Sequence, residues 1–418
     1  MVRCRFIYIK GPSKALQSRP GTASARYADI NMGTVVLTIL ACLIVTVHGQ
    51  EAPVEVDDQL VEQVEDGLNN TDLLMAYVII RHGDRTPDNE ELALSPSTVP
   101  NEDVFYPFGM KALTNVGKLH SFQVGQYLRR RYNKLLSSVY LKDEIQIRTT
   151  NFERTKMTAL CVLAGLYPPE EIQQWHPTLM WQPIPYSTLP VDTDDLHYWY
   201  NCPRYLWLRD QMYKKPDIQK RLTNYQDLFK TLSVYTKTNI TTPEDVFYLD
   251  NLFQALANVG VKQPHWAEDL MPQIKEMTKI EYGIEFLTDE LIQIATGILM
   301  KDFVDDMASA VKGEEIEPKI KIFSGHENNV AALMAAARAF RPHQPGYGST
   351  VSLEFRRHRE TRQYGVAVVY APEPNKPEKV LKVTGCDKEL CDYETFLFLT
   401  KNILMNREDF PKVCPKLE

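Results

Sequence analysis

The sequence has few cysteines, no excess of positive charge and no internal repeat. Seven cysteines in 418 residues are too few to hold together a disulfide-built miniprotein. The formal net charge is −7. Residues 1–49 carry six Lys and Arg side chains against one Asp, a net +5, so the rest of the chain carries −12. Because so acidic a chain repels phosphate backbones, we predict no nucleic-acid partner.

Long apolar runs are also scarce. The uncharged run Thr34–Val47 has fourteen residues, whereas a membrane-spanning helix needs about 20. It follows a basic region, which favours a secretory signal peptide over a signal anchor that stays attached. We predict that residues 1–49 are an N-terminal extension and signal peptide, with Met32 as an alternative start. No stable membrane span is expected after cleavage.

The sequence after the leader fits passage through the secretory pathway. Asn69 and Asn239 begin N-x-T sequons, so both are predicted glycosylation sites. Residues 50–71 are polar and acidic, and we predict that they are mobile. We therefore expect the protein to be secreted or lysosomal.

Five cysteines follow the leader, so at least one of them has no partner within the chain. Cys161 lies in an apolar helical stretch and is the predicted buried free thiol. Cys386 and Cys391 are close enough to close a local loop, which leaves Cys202 to pair with Cys414. A metal site is the competing interpretation, but no CxxC or His-x₃-His spacing supports it. We predict no metal and no cofactor.

Composition and periodicity predict an α/β fold. Apolar residues make up 44% and charged residues 24% of the chain, as in globular proteins. The predicted strands are Leu73–Ile80, Ile145–Thr149, Lys319–Phe323, Thr350–Phe355, Gln363–Tyr370 and Lys379–Val383. Helical patterns begin at Thr114 and cover 152–166 and 328–340, and Arg129–Arg131 are expected on the solvent side of the first helix.

Residues 175–300 differ in character, with clustered prolines and tryptophans followed by helix-like segments without clear strands. We predict a three-layer α/β sandwich with a mixed central sheet, formed by residues 72–174 and 301–418, into which 175–300 are inserted as a helical cap.

Arg81–Pro87, with the sequence RHGDRTP, directly follows a strand that is predicted to be buried on both faces. Ligand sites of α/β sheets lie at the carboxyl ends of strands. The guanidinium groups of Arg81 and Arg85 match phosphate oxygens and stay charged at any working pH. They also favour a neutral imidazole at His82, which is a nucleophile. The loop therefore predicts a phosphoryl-transfer site.

Two further segments have the same placement. His326 and Glu327 follow an apolar strand and precede a helix, and a protonated carboxyl group there could supply a proton to a leaving alkoxide. In the segment 148–155, either Arg148 or Arg154 could complete a cage around phosphoryl oxygens. Spacing alone does not choose between these two arginines.

These motifs resemble those of the histidine acid phosphatases, the large branch of the histidine phosphatase superfamily. The resemblance covers most of residues 72–418. It depends on five segments: RHGDRTP at 81–87, the helix at 113–132, IRTTNFERT at 147–155, NCPR at 201–204 and His326-Glu327. It implies an α/β domain with a helical cap, together with disulfides that fit Cys202–Cys414 and Cys386–Cys391.

The resemblance also implies residue roles. His82 matches the phosphoryl-accepting nucleophile and His326 the second active-site histidine. The matching phosphate-binding arginines are Arg81, Arg85 and Arg154. The family's proton donor is usually an aspartate, where this chain has Glu327, and Asn151 stands where mammalian relatives have an aspartate. Glu327 remains the predicted proton donor.

The predicted function is a metal-independent acid phosphatase that hydrolyses small-molecule or protein phosphate monoesters through a phosphohistidine. Three alternatives stay open: a phytase or other inositol phosphatase, a mutase, and an inactive secreted protein that binds phosphorylated ligands. Monomer and homodimer are equally open. The remaining histidines after the leader are expected to be surface or packing residues rather than ligands: His120, His176, His197, His265, His343 and His358.

Overall fold

The computed structural model of the protein describes residues 68–99 and 101–415. The predicted signal peptide and residues 50–67 of the acidic segment lie outside these ranges. Residues 68–70 form a turn and Thr71 begins a strand, so the end of that segment is part of the fold. The Thr71 hydroxyl donates to the Leu68 carbonyl over 2.6 Å, which closes this turn.

The centre of the fold is a mixed β-sheet, which confirms the predicted class. Its order is β3-β2-β4-β1-β5-β6-β7, and β8 also pairs with β6. The pairs among β1 to β4 are parallel, and those that join β1, β5, β6, β7 and β8 are antiparallel. The strands are β1 (Thr71–Arg81), β2 (Ile145–Thr149), β3 (Ser187–Thr188), β4 (Ile320–Gly325), β5 (Thr350–His358), β6 (Tyr364–Ala371), β7 (Lys379–Leu381) and β8 (Cys391–Asp392).

Helices lie between several of the strands in the chain and follow the last of them. Those outside the predicted cap are α1 (Asn89–Leu94), α2 (Asn115–Arg131), α3 (Glu153–Leu166), α11 (Glu327–Ala336), α12 (Tyr393–Thr400) and α13 (Phe410–Val413). Between β3 and β4 lie α4 (Tyr198–Asn201), α5 (Pro203–Tyr213), α6 (Pro216–Thr223), α7 (Gln226–Thr236), α8 (Pro243–Ala257), α9 (His265–Glu285) and α10 (Asp289–Val311).

Helices cover both faces of the sheet, so the fold has three layers as predicted. Side chains alternate along β1. Val78 and Ile80 join a buried cluster with α2 and α3. Tyr77 and Ile79 join a larger cluster that contains residues of α8 to α11. No helix within 68–99 or 101–415 has the length and apolar character that a membrane span requires.

The inserted segment differs from its prediction in two details. Ser187 and Thr188 form a short strand beside β2, where no strand was expected. A strand of two residues has too little alternation to be recognised from sequence. The predicted cap boundary at residue 300 falls inside α10 (Asp289–Val311), which is one continuous helix.

Both predicted disulfides are present in the structure. Cys202–Cys414 joins the start of α5 to the end of α13, and Cys386–Cys391 closes a short loop. Cys161 is a free thiol, and it is half-buried rather than buried as predicted.

A buried charged cluster, the Glu354 cluster, lies on β5 at the level of Ala76 in β1. Arg131 was predicted to face solvent, but its Nε donates to Glu354 Oε1 over 2.6 Å and its guanidinium also pairs with Glu378. Tyr132 and Arg356 complete the bonding of both Glu354 oxygens. Burial alone would raise the pKa of Glu354, but Arg131 and Arg356 lower it to about 2.

Candidate active site

Three parallel strands bring the predicted motifs together at one edge of the sheet. β4 lies between β2 and β1, with Arg81 opposite Gly325 and Thr149 opposite Ser324. Past these ends, the backbone N–H of His82 donates to the Gly325 carbonyl over 3.0 Å. The segments that follow β1, β4 and β2 therefore share one crevice, as predicted from their placement.

A cavity of about 540 Å³ opens at this edge. Five of the six predicted phosphoryl-transfer residues line it: His82, Arg85, Arg154, His326 and Glu327. Arg81 is not one of its lining residues among those described. Its side chain is fully buried, with the guanidinium 4.0 Å from the centre of the Tyr347 ring.

His82 is held in one tautomer. The side chain is 1% exposed, and Nδ1 lies 2.9 Å from the carbonyl oxygen of Gly83. A carbonyl only accepts, so Nδ1 carries the proton and Nε2 keeps its lone pair. Burial, followed by Arg154, His326 and the other arginines, lowers the pKa of His82 well below its usual range. The imidazole is therefore neutral even in mild acid.

Gly83 allows the His82 loop to lie directly against α2. A Cβ atom at this position would be 2.3 Å from the Gly117 carbonyl oxygen. The Gly83 N–H also donates to the Thr158 hydroxyl of α3 over 3.1 Å. The loop is thus fixed by both helices on this face of the sheet, which fixes the direction of the imidazole.

Arg85 is held by a carboxylate that sequence reasoning missed. Its Nη1 and Nη2 donate to the two oxygens of Glu91 over 2.8 and 2.5 Å. Burial would lower the pKa of Arg85, but Glu91 raises it well above its usual value. Glu91 lies six residues after Arg85 in α1, and no motif in the sequence distinguishes it. This bidentate pair sets the plane of the guanidinium.

The carboxylate contacts of the other two arginines are longer and single. Arg81 Nε lies 3.1 Å from Glu327 Oε2, and Arg154 Nη2 lies 3.5 Å from Asp88 Oδ2. Within the part of the chain that the structure describes, Arg81 Nε and Nη2, Arg85 Nε and Arg154 Nε are buried without a hydrogen-bond partner, so the Arg81–Glu327 contact is an ion pair without hydrogen-bond geometry. Such N–H groups have the geometry to bind the oxygens of a phosphoryl group.

The structure separates the two candidate arginines of the segment 148–155. Arg154 lines the cavity at the start of α3. Arg148 instead pairs with Asp194 and with Asp195, whose Oδ1 is 2.6 Å from Arg148 Nη2. Alternation along β2 directs Arg148 away from the crevice, which spacing alone could not reveal.

His326 stands beside His82, with ring centres 5.5 Å apart. Its Nε2 lies 3.0 Å from the Thr150 hydroxyl, and its backbone N–H donates to Asn329 Oδ1 over 3.0 Å. Burial and Arg154 lower its pKa well below the usual range. The second histidine is thus also neutral, and can exchange hydrogen bonds with a bound oxygen.

Glu327 lies between two donors from different elements. Oε2 faces Arg81, and Oε1 lies 3.5 Å from the Asn251 amide nitrogen of α8. Burial favours the neutral acid, but Arg81, Arg85 and Arg154 together lower the pKa of Glu327 below its usual value. In the absence of an anion, the carboxyl group is therefore ionised at neutral pH.

His197 has the packing role that was one of its two expected roles, and it also lines the cavity, which was not expected. It is 3% exposed and lines the cavity, with its ring 6.0 Å from that of His326 and stacked at 4.9 Å on Tyr200. Asn329 donates to the Leu196 carbonyl over 2.7 Å, which ties this segment to the His326 loop. Burial and Arg154 lower the pKa of His197 to about 4. No local sequence pattern signals His197, because the hydrogen bond that holds its segment joins Asn329 to Leu196, 133 residues apart in the chain.

The other histidines do not line the cavity in the described part of the chain. His120 pairs with Asp84 at 2.7 Å and is partly exposed. His176 and His265 are exposed, and His343 and His358 are half-buried. Across residues 68–99 and 101–415, no group of three or more His, Cys, Asp or Glu side chains is arranged to hold a metal ion.

Further lining residues come from the helices between β3 and β4, and the sequence did not predict them. They are mainly aromatic, with a buried acidic group and an ion pair: Trp199, Tyr200, Phe247, Tyr248, Glu285 and Arg209–Glu244. Burial, with Glu281, raises the pKa of Glu285 well above its usual range. This part of the wall is suited to a leaving group rather than to a second phosphate.

Comparisons with known proteins agree with this architecture. Residues 72–371 match the family model of the histidine phosphatase superfamily (branch 2). Venom acid phosphatase Acph-1 of Apis mellifera is 32% identical over 82% of this chain and 88% of its own length. Prostatic acid phosphatase of Bos taurus is 30% identical over 84% of this chain and 90% of its own. Lysosomal acid phosphatase of Homo sapiens is 28% identical over 82% of this chain and 80% of its own length.

Solved structures share the fold at lower identity. The phytase from Citrobacter braakii has a TM-score of 0.58 at 16% identity, over 82% of this chain and 100% of that chain. Hafnia alvei phytase has a TM-score of 0.60 at 14% identity, over 84% of this chain and 99% of that chain. At such identities the likeness shows the fold alone. The family match and the curated relatives confirm the predicted membership: this chain belongs to branch 2 of the histidine phosphatase superfamily.

Proposed function

We propose that this member of the family is a metal-independent acid phosphatase that hydrolyses phosphate monoesters through a phosphohistidine at His82. The observation that carries the proposal is the placement of that imidazole, whose Nδ1 lies 2.9 Å from the Gly83 carbonyl oxygen and which lines the cavity together with Arg85 and Arg154. Burial and the neighbouring arginines lower its pKa. Its Nε2 attacks the phosphorus atom as the bond to the leaving oxygen breaks. Water then attacks the phosphorus of the phosphohistidine, which releases phosphate and regenerates His82.

The arginines bind the phosphoryl oxygens. Arg81 Nη2, Arg85 Nε and Arg154 Nε are buried and have no hydrogen-bond partner among the described residues. They offset the negative charge that the transferring group carries, which is the main electrostatic task in phosphoryl transfer. His326 donates a further hydrogen bond to one of these oxygens.

Glu327 supplies the proton that the leaving oxygen needs. Each arginine of the site faces one carboxylate, and the Arg81–Glu327 contact is a single one at 3.1 Å, whereas Arg85–Glu91 is bidentate. A bound phosphoryl dianion shares these cations, which weakens their effect on Glu327 and raises its pKa. The carboxyl group can then be protonated in mild acid and can later accept a proton from the attacking water.

An acidic working range follows from these two groups. The protonated fraction of Glu327 falls as pH rises through its pKa, so turnover falls with rising pH. His82 does not limit the rate at low pH in the same way, because its own pKa is held well below the usual value. A neutral His82 and a protonated Glu327 coexist only at acidic pH.

The substrates are proposed to be simple monoesters, on small molecules or proteins. Around the cavity, Lys111 pairs with Glu90 and Arg209 pairs with Glu244. Each lining cation outside the phosphoryl group's immediate surroundings thus has a carboxylate neighbour. An inositol polyphosphate would need unpaired cations there for its additional phosphates. The phytase-like fold is therefore used here for a less highly charged substrate.

The proposed setting is secreted or lysosomal. The curated relatives bear the names venom, prostatic and lysosomal acid phosphatase. Cys202–Cys414 and Cys386–Cys391 suit an oxidising compartment. Asn69 and Asn239 are both exposed, as glycosylation requires.

Phosphate release from an aryl monoester, an alkyl monoester and phytate tests the proposal, with and without a metal chelator. We expect the two monoesters to be hydrolysed at acidic pH whether or not the chelator is present, and phytate to be hydrolysed more slowly. Loss of activity with the chelator, or preferential hydrolysis of phytate, would contradict the proposal. Binding of all three compounds without turnover would favour the inactive binding protein instead.

A further inference from the structure

Asn251 is a buried cavity residue that no motif signals. It lies in α8, is 2% exposed, and directs its amide nitrogen to Glu327 Oε1 at 3.5 Å. The other carboxylate oxygen of Glu327 faces Arg81 Nε at 3.1 Å. The two oxygens therefore face donors from two separate elements.

A chain of side-chain amides leads away from Asn251. Gln344 Nε2 donates to Asn251 Oδ1 over 2.7 Å, and Gln254 Nε2 donates to Gln344 Oε1 over 2.6 Å. The same Gln254 nitrogen donates to Asp250 Oδ1 over 3.0 Å. The chain thus joins Asp250 to Glu327 through three amides.

The carboxylate at the far end sets the direction of this chain. Asp250 is fully buried and pairs with Lys275 Nζ at 2.6 Å and the Thr278 hydroxyl at 2.8 Å. Its oxygens accept from both of these groups, so Gln254 must present its amide nitrogen to Asp250. Each following amide then accepts with its oxygen and donates with its nitrogen. The last N–H group in the chain points to Glu327.

One loop contacts both Asn251 and Arg81, the two residues that face Glu327. Gln344 fixes Asn251, and the carbonyl of the next residue, Pro345, accepts from Arg81 Nη1 over 2.6 Å. A shift of this loop would therefore move both groups that face the carboxylate.

We propose that Asn251 is a positioning residue for Glu327, and that the amide chain from Asp250 fixes it with its N–H group toward the carboxylate. The Glu327 side chain has several rotatable bonds, so a donor that faces its carboxyl group limits the positions that this group takes. The inference rests on the proposed role of Glu327 as proton donor.

The test variant is Asn251→Leu, which keeps a similar volume and removes the donor. We expect kcat for an alkyl phosphate to fall about 10-fold with KM unchanged, because a displaced acid protonates the alkoxide poorly. An aryl phosphate with a good leaving group needs little protonation, and its kcat should change less than about 2-fold.

The pH profile gives a second readout. Removing a donor to the ionised carboxylate favours its neutral form, so the alkaline limb of kcat should move up by about 0.5 pH unit in Asn251→Leu. Asn251→Asp places a negative charge there and should move the limb further. The groups that also interact electrostatically with Glu327 are unchanged in both variants: Arg81, Arg85, Arg154, Glu285, Tyr198, Tyr282 and Tyr347.

Two further variants separate positioning from stability. Thr242→Ala removes the N-cap of α8, whose hydroxyl accepts from the Asp245 N–H over 3.1 Å, without touching the amide chain. It should leave the ratio of alkyl to aryl turnover unchanged. Gln344→Leu leaves Asn251 in place but unfixed, and should lower that ratio by less than Asn251→Leu does.

Glu327→Gln distinguishes failure of the inference from failure of the proposed function. Equal loss on both esters in this variant would remove the proton-donor role, and both claims with it. If Glu327→Gln is selective for the alkyl ester but Asn251→Leu lowers both esters equally, or neither, only the inference is overturned. The same selectivity in Thr242→Ala would also overturn it.

Discussion

The Glu354 cluster and the active site are both built from buried arginines and carboxylates, but their centres differ. Glu354 is a carboxylate surrounded by donors, and both of its oxygens accept hydrogen bonds from Arg131, Tyr132 or Arg356. The centre of the active site is the imidazole of His82, whose pKa is lowered by burial and then by Arg154 and its other neighbours. In the first arrangement both oxygens of the central carboxylate are bonded, and one buried nitrogen, Arg131 Nη2, has no partner among the described residues. The second is completed when an anion binds, which is what a phosphoryl-transfer site requires.

The largest contrast is expected when an arginine of the active site is removed. Arg154→Met should lower kcat/KM by about 10⁴-fold, as loss of an arginine does in other phosphoryl-transfer enzymes. The free energy of unfolding should change by less than about 1 kcal/mol, because the contact with Asp88 is single and long, Asp88 keeps Arg85 nearby, and methionine removes a buried cation. Steady-state kinetics and urea unfolding measure the two effects. An Arg154→Met variant that unfolds readily but keeps its activity would contradict the expected contrast between the active site and the Glu354 cluster.

An arginine of the Glu354 cluster should show the opposite behaviour. Arg131→Met leaves Glu354 and Glu378 buried with one partner fewer, which should lower the free energy of unfolding by about 3–5 kcal/mol. The folded fraction should keep kcat/KM within about 2-fold, since Arg131 does not line the cavity described here. Unfolding by urea gives the first value, and activity per folded molecule gives the second. A specific loss of activity at unchanged stability would contradict the assignment.

The pH dependence of stability is the smaller and more indirect test. The pKa of Glu354 is lowered to about 2 by Arg131 and Arg356, despite its burial. Its contribution is therefore fully present above the pKa of the unfolded chain and is lost as pH falls toward 2. The lowered pKa corresponds to about 3 kcal/mol. Glu354→Gln should show a smaller loss of stability over this range than the natural chain. An identical pH dependence in both would contradict the role given to Glu354.

The sequence predicts the parts of this protein whose signals are local. The apolar runs of β1, β2 and β4 mark the strands, and the parallel order of their carboxyl ends brings His82, His326 and Arg154 into one crevice. That inference needs only the rule that α/β sheets bind ligands at this edge.

The parts that sequence reasoning missed depend on distant partners. Arg131 was predicted to face solvent because its neighbours are Arg129 and Arg130, but Glu354 lies 223 residues away in the chain. His197 enters the cavity wall through a loop tied to Asn329. Asn251 acquires its direction from a chain that includes Gln344, 93 residues away. None of these contacts leaves a periodicity or a motif in the sequence.

The account's central claim is a phosphorus–nitrogen bond at His82, and trapping that bond tests it most directly. The protein is incubated with an aryl phosphate labelled on phosphorus, quenched in alkaline denaturant and digested, and the labelled peptide is mapped. We predict label on His82 that is lost on acid treatment, because phosphohistidine is acid-labile, and no label in His82→Ala. Label on another side chain, label that survives acid, or turnover in His82→Ala would contradict the account.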